Sequence, residues 1–134
     1  MIRLSYCLEP FRDVMGRPVA LVTGGGQGIG AATCTRLAED GYDVLLTYNT
    51  SSKPAEMLVA EIRESGGDAL AVKVDCSDDG EVGLLGIHPW MAKSIDVLVL
   101  NHGAYNRISA NEMTLEVLRK TMAINTTFFW NSII

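Results

Sequence analysis

With 134 residues, 48% of them apolar and 20% charged, the chain has the size and composition of one globular domain with a core of its own. A formal net charge of −5 argues against a general nucleic-acid surface, and no apolar run approaches the ~20 residues that span a bilayer. The opening residues lack the apolar stretch of a secretory signal, and Cys7, Cys34 and Cys76 fall at no metal or redox spacing, so the expectation is a cytoplasmic chain without a metal site.

Residues 1–16 show no clear period and read as an N-terminal extension to which no function is assigned; a domain over 17–134 follows. Its first feature is a short apolar run, Val19-Ala20-Leu21-Val22, which predicts a buried strand. Thr23-Gly24-Gly25-Gly26-Gln27-Gly28-Ile29-Gly30 comes next, then a run of small residues with helical character. Four of the six residues from Thr23 to Gly28 are glycine, so nothing projects above the turn. A helix beginning around Gln27 to Ile29 points its unpaired N–H groups and its positive dipole end at that space, which suits a pyrophosphate. Gly30, lacking Cβ in the first helical turn, lets helix and strand approach closely.

The pattern Thr23-Gly24-x-x-x-Gly28-Ile29-Gly30 differs from the common G-x-G-x-x-G fingerprint and resembles the T-G-x-x-x-G-I-G turn of the short-chain dehydrogenase/reductase family. The resemblance implies an α/β fold, a Rossmann-like doubly wound parallel sheet with helices on both faces, and a nicotinamide dinucleotide as partner.

Helix one carries Ile29, Thr33 and Leu37 at helical spacing and stops at Gly41. Val44-Leu45-Leu46 predicts a buried second strand. The loop Thr47-Tyr48-Asn49-Thr50-Ser51-Ser52-Lys53 lies about 20 residues past the fingerprint, where an acid would hold the ribose 2′-hydroxyl of NAD. No acid is there. Hydroxyls, an amide and the Lys53 ammonium tolerate a 2′-phosphate better than a carboxylate does, which favours NADP(H) over NAD(H). The same loop also reads as a helix cap, with Ser52 or Lys53 before Pro54 in the first turn.

Ala55, Leu58, Val59 and Ile62 form the inner stripe of helix two, which Gly66-Gly67 ends. Residues 69–74 predict strand three, with Asp75 at its carboxyl end. The resemblance implies that Asp75, with the Cys76 backbone, meets the adenine amino group; the alternative is an Asp that caps the following helix. Gly80, Gly83, Gly86 and Pro89 predict a short or bent third helix, with Trp90 and Met91 as core contacts.

Strand four is Ile95-Asp96-Val97-Leu98-Val99-Leu100, followed by Asn101-His102-Gly103-Ala104. The resembled family has I-D-x-L-V and then N-N-A-G; Asn101 and Gly103 match, while Leu100 and His102 depart. Gly103 keeps the backbone open beside the cofactor ribose, and Asn101 can bridge neighbouring strand ends. His102 has no identified carboxylate partner and reads as a packing or hydrogen-bonding residue of the site rather than a catalytic base.

Thr114 is the expected N-cap of a helix on which Leu115, Leu118, Met122, Phe129 and Ile133 recur. Asn125 falls on that stripe. A buried amide there either bonds backbone or water, or serves the active site. The resemblance implies the second: an Asn in N-x-x-G that disturbs the helix and holds a water of the proton relay, although Phe128 stands in the place of the Gly. The residues from Phe128 to Ile134 keep the helical period without a cap, which reads as a truncation within the helix after strand four.

The four strands are expected in the order 3-2-1-4, an incomplete sheet with strand four as an open edge. The family's catalytic Ser and Tyr-x-x-x-Lys do not occur at their spacing in these residues. The resemblance therefore implies the cofactor-binding part of an NADP(H)-dependent reductase of the 3-oxoacyl carrier-protein reductase type. The complete enzyme would move hydride between nicotinamide and a small carbonyl or alcohol substrate, and would be open to homo-oligomer formation. The alternatives are a non-catalytic nucleotide-binding module and an inactive truncated product.

Overall fold

The computed structural model describes residues 16–92, 95–105 and 107–127. The expectations for residues 1–15 and for Phe128 to Ile134, including Phe129 and Ile133 on the last stripe, lie outside the described residues. The chain runs β1 (Val19–Thr23), α1 (Gly28–Glu39), β2 (Asp43–Tyr48), α2 (Ser52–Glu64), β3 (Ala69–Lys73), α3 (Asp79–Gly86), a 3-10 turn (Pro89–Ala92) and β4 (Ile95–Leu100). A second 3-10 turn (Ala110–Glu112), α4 (Leu115–Met122) and a π-helical segment (Ala123–Thr127) follow.

All strand pairs are parallel and the order is β3-β2-β1-β4, as the sequence led us to expect. The central strands β1 and β2 are buried on both faces, which is why they read as unbroken apolar runs rather than alternating ones. The pleat sends Val22, Val44 and Leu46 to one face, under Cys34 of α1 and Ala55, Leu58, Val59 and Ile62 of α2. Leu21 and Leu45 go to the other, against Val74 and Leu85, with Trp90 and Met91 packed beside them. At the start of β1 the pairing with β4 skips one residue: Val19 faces Ile95 and Ala20 faces Val97. The residue passed over, Asp96, accepts the Val19 N–H at 2.8 Å, so that donor keeps a partner across the irregularity.

Arg17 fastens the amino-terminal end of this sheet. Its guanidinium donates to the carbonyls of Gly41, Tyr42 and Gly66, just past the ends of α1 and α2, and faces Asp43 Oδ1 at 3.1 Å. A cation suits these two helix C-termini, and the largely buried Asp43 is neutralised by it.

Three local expectations are corrected. Ile29 is 80% exposed; α1 buries Gly30 and Cys34 instead, with Ala31, Leu37 and Ala38 partly packed. Close approach at Gly30 fixes which face of the helix meets the sheet, and Ile29, about 100° away, points outward. The N-cap of α2 is Ser51, and neither Ser52 nor Lys53 caps it: both lie inside the helix, and the Ser51 hydroxyl donates to Gln27 Oε1 rather than accepting a helix N–H. Leu115, Leu118 and Met122 on α4 are exposed rather than buried. The third helix is short, and α4 carries the expected Thr114 cap, whose hydroxyl accepts the Val117 N–H at 3.2 Å. No helix among the described residues is long and apolar enough to cross a membrane.

Candidate functional site

The carboxyl ends of β1 and β4, where the strand order reverses, frame the site. Thr23 closes β1 fully buried, and the chain turns through Gly24 at φ +64° and Gly28 at φ +57°, both in the left-handed region. The turn is stapled to the end of β2: Gly25 N–H donates to the Thr47 carbonyl at 2.9 Å and Gly24 N–H to its hydroxyl at 3.3 Å. Space around it is tight on the protein side. A Cβ on Gly24 would come within 2.8 Å of His102 Cα, and one on Gly30 would collide with the Gly24 carbonyl and sit 2.5 Å from Asn101 Nδ2. On the outer side a Cβ on Gly28 would meet open space. No side chain caps the N-terminus of α1, and no acid occupies its first turn. Its positive end faces a cleft of about 420 Å³.

That cleft brings together the candidates read from the sequence. Gly24, Gly26, Gln27, Gly28, Ile29 and Gly30 line it from the turn, and Tyr48, Asn49, Thr50 and Ser51 from the loop after β2. Asp75 and Cys76 line it after β3; Asn101, His102 and Gly103 line it after β4. The exposure of Ile29 now has a position: it is an apolar side chain at the cleft's lip. Thr23 lies beneath the cleft and Asn125 behind it, neither on its wall. Lys53 also stays outside. Sequence reading named Thr47 only as the first residue of the loop after the second strand, and did not single out Val74, Ala104 or Ile124 for the site. The first two were within reach of the rule that strand carboxyl ends face the crevice, since Thr47 is the penultimate residue of β2 and Val74 the first beyond β3. Ala104 and Ile124 gave no signal of their own.

Behind the wall runs a hydrogen-bonded lattice. Asn101 Nδ2 donates to the carbonyls of Thr23 at 3.1 Å and Gly24 at 3.0 Å, so it bridges the two strand ends. Asn125 Nδ2 donates to the carbonyls of Ala104 at 2.8 Å and Thr121 at 3.0 Å, and its Oδ1 accepts the Ala104 N–H at 2.9 Å. The helix is π-wound over Ala123–Thr127, where Asn125 sits. His102 is half-buried and engaged at both ring nitrogens, with Thr23 Oγ1 and with the Ile124 carbonyl. Burial, opposed by the bond to Ile124, lowers its pKa from the ordinary value.

At the far end of the cleft, Asp75 is not the cap of α3. That role belongs to Asp78, whose Oδ1 accepts from Gly80 N–H at 2.8 Å and Glu81 N–H at 3.1 Å. Asp75 Oδ1 is held by the Ser77 hydroxyl at 2.6 Å and the Ser77 N–H at 2.8 Å, and these bonds keep its carboxyl below the usual range; Asn49 and the charge of Lys120 add to them. Burial pushes the Cys76 thiol up to about 11, with the charges of Asp75 and Glu81 contributing, so it is a protonated wall atom and not a nucleophile.

Residues 18–132 match the family model described as short chain dehydrogenase. A 3-oxoacyl-[acyl-carrier-protein] reductase of Synechocystis sp. is 40% identical over 111 residues, 81% of this chain and 44% of that protein. A short chain dehydrogenase from Burkholderia cenocepacia J2315, solved in complex with NADP, superposes with a TM-score of 0.77 at 38% identity over 83% of this chain and 46% of that one. A 3-oxoacyl (acyl-carrier-protein) reductase from Agrobacterium tumefaciens C58 with NADP bound gives a TM-score of 0.80 at 28% identity, covering 98% and 49%. The chain thus spans less than half the length of these relatives. With the glycine turn, the strand order and the family match in agreement, the chain belongs to the short-chain dehydrogenase/reductase family.

Proposed function

We propose that this chain forms the NADP(H)-binding part of a reductase or dehydrogenase acting on carbonyl and alcohol carbons. The observation that carries the reading is the cradle above Gly24 to Gly28: bare backbone, an uncapped helix N-terminus and open space where a side chain on Gly28 would stand. That arrangement fits a pyrophosphate, which needs N–H donors and a positive dipole end and excludes any Cβ. Tyr48, Asn49, Thr50 and Ser51 would hold the adenosine ribose, and with no carboxylate among them a 2′-phosphate meets no like charge. The NADP in two of the similar structures supports this choice over NAD. Asp75 and the Cys76 backbone would take the adenine edge, Asn101, His102 and Gly103 the ribose beside the nicotinamide. Asn125 would order the water of a proton relay.

The dinucleotide, when bound, supplies or accepts hydride. A group to protonate the carbonyl oxygen is also needed, and no Tyr-x-x-x-Lys occurs in this sequence. We therefore infer that these 134 residues bind cofactor without turnover. The test is titration of the chain with NADPH, followed by enhancement of the reduced nicotinamide's fluorescence, and then an assay with 3-oxoacyl thioesters. Saturable enhancement without oxidation of NADPH is expected. An absence of binding would remove the cofactor reading, and NADPH-dependent reduction by this chain would remove the inference of inactivity.

A further inference from the structure

His102 departs from the small residue of the resembled motif, and its ring connects two parts of the site that are otherwise far apart in sequence. Nδ1 lies 2.8 Å from Thr23 Oγ1 at the end of β1, and Nε2 lies 2.8 Å from the Ile124 carbonyl in the π-turn. The proton positions follow from counting donors and acceptors. A carbonyl only accepts, so Nε2 carries the hydrogen. Thr23 Oγ1 already accepts the N–H groups of Asn101 at 3.1 Å and His102 at 3.3 Å, which fills both lone pairs. What the hydroxyl has left to give is its own hydrogen; the Val99 carbonyl lies 3.4 Å away and Nδ1 only 2.8 Å, so Nδ1, the nearer acceptor, receives it.

The π-turn is tied a second time by Asn125, to the stretch after β4 that carries His102, through bonds to both polar groups of Ala104. Gly103 lies between these attachments, and a Cβ there would sit 3.0 Å from Asn125 Oδ1. Ile124, whose carbonyl His102 holds, lines the cleft, and Asn125 is its neighbour. We propose that His102 is a positioning residue: in its neutral, Nε2-protonated form it pins the π-turn to the end of β1 and thereby sets Ile124 against the cofactor cleft and Asn125 behind it. This rests on the reading of the cleft as the cofactor site.

Protonation would undo the arrangement, because an Nδ1–H would be a third donor aimed at an oxygen with two lone pairs. Burial of the ring opposes that protonation. The titratable side chains sharing the cleft are Tyr48, Asp75 and Cys76; α4, leading into the π-turn, carries Glu116, Arg119 and Lys120; the end of β1 and the turn, Thr23 to Gly28, bring no charge, and Asp96 on β4 is engaged with Val19.

The test uses the full 134-residue chain. Long-range proton–nitrogen spectra should show the His102 ring as a single neutral Nε2–H tautomer that persists as the pH falls below its ordinary value of about 6.5. His102→Ala should speed exchange of the Ala104 amide and of the Asn125 side-chain amide about tenfold and weaken NADPH binding several-fold, the equivalent of one lost hydrogen bond. His102→Gln, which keeps a donor and an acceptor, should restore exchange to within about threefold of wild type. An Nδ1–H tautomer, titration at the ordinary histidine value, or unchanged exchange at Ala104 and Asn125 in His102→Ala would overturn the proposal. Should the alanine variant fail to fold, the wild-type tautomer and the glutamine variant decide. Wild-type chain with the expected tautomer and exchange but no affinity for NADPH would strike the cofactor reading alone and leave the pinning of the π-turn standing.

Discussion

Two glycines separate a residue the site requires from one it does not. A Cβ on Gly30 collides with the Gly24 carbonyl and with Asn101, both backbone-anchored parts of the site, whereas one on Gly83 in α3 meets nothing within 4 Å. Gly30→Ala should therefore cost roughly 2–3 kcal/mol in urea unfolding and abolish NADPH binding, while Gly83→Ala should stabilise by about 0.5–1 kcal/mol and leave binding intact. Titration behaviour belongs to the same scale. His102 has a folded pKa below its ordinary value of about 6.5, so in the window beneath that pH the unfolded chain binds a proton that the native one refuses. Its contribution to stability is complete above about pH 6.5 and is lost as the pH falls through the folded value. Asp75, also lowered, behaves alike beneath about pH 4. Urea midpoints should thus decline below pH 6.5 in wild type and decline less in His102→Gln between pH 6.5 and 5. Asn101 and Gly103 were legible from the sequence because their chemistry fits a strand end. The partners of His102 were not, since Thr23 and Ile124 are brought to it only by the closing of the fold.

At the scale of elements, legibility followed the clarity of the period. The α2 stripe of Ala55, Leu58, Val59 and Ile62 was readable because i, i+3, i+4 and i+7 stand apart from charged neighbours, and all four are buried. Ile62→Ala should cost about 2–4 kcal/mol, against less than ~0.5 kcal/mol for Met57→Ala on the exposed side of the same helix. The α1 stripe was misread because the residue that sets its orientation is Gly30, which contributes no hydrophobicity to any pattern. Arg17 escaped notice for a different reason: a single cation before a strand carries no periodic signal, yet it gathers the ends of α1 and α2 and answers Asp43. Arg17→Ala should cost about 2 kcal/mol, a discount on the usual penalty for stranding a buried carboxylate because Arg17 itself is partly exposed. Asp43→Asn in the Arg17→Ala background should recover part of that loss, measured in a double-mutant cycle.

For the molecule as a whole, the four parallel strands among the described residues, with α1 and α2 packed on one face and α3 on the other, leave the crevice at the reversal of strand order, beyond the carboxyl ends of β1 and β4. That architecture was open to sequence reading because each element agreed with its neighbours: apolar strand, turn of glycines or short polar residues, helix, in succession. The exposed apolar side chains of α4, Leu115, Leu118 and Met122, did not follow from the period, which reports that a face is apolar and not what covers it. The central claim is that the cradle at Gly24 to Gly30 is where two phosphates sit. Backbone amide shifts of the labelled chain on titration with NADPH measure this most directly. The largest changes are predicted at Gly24 to Gly30, with smaller ones at Ser51, Asp75 and Gly103 and none along the groove between α2 and β3. Saturating NADPH that left the Gly24 to Gly30 amides unmoved, or moved only that outer groove, would contradict the account.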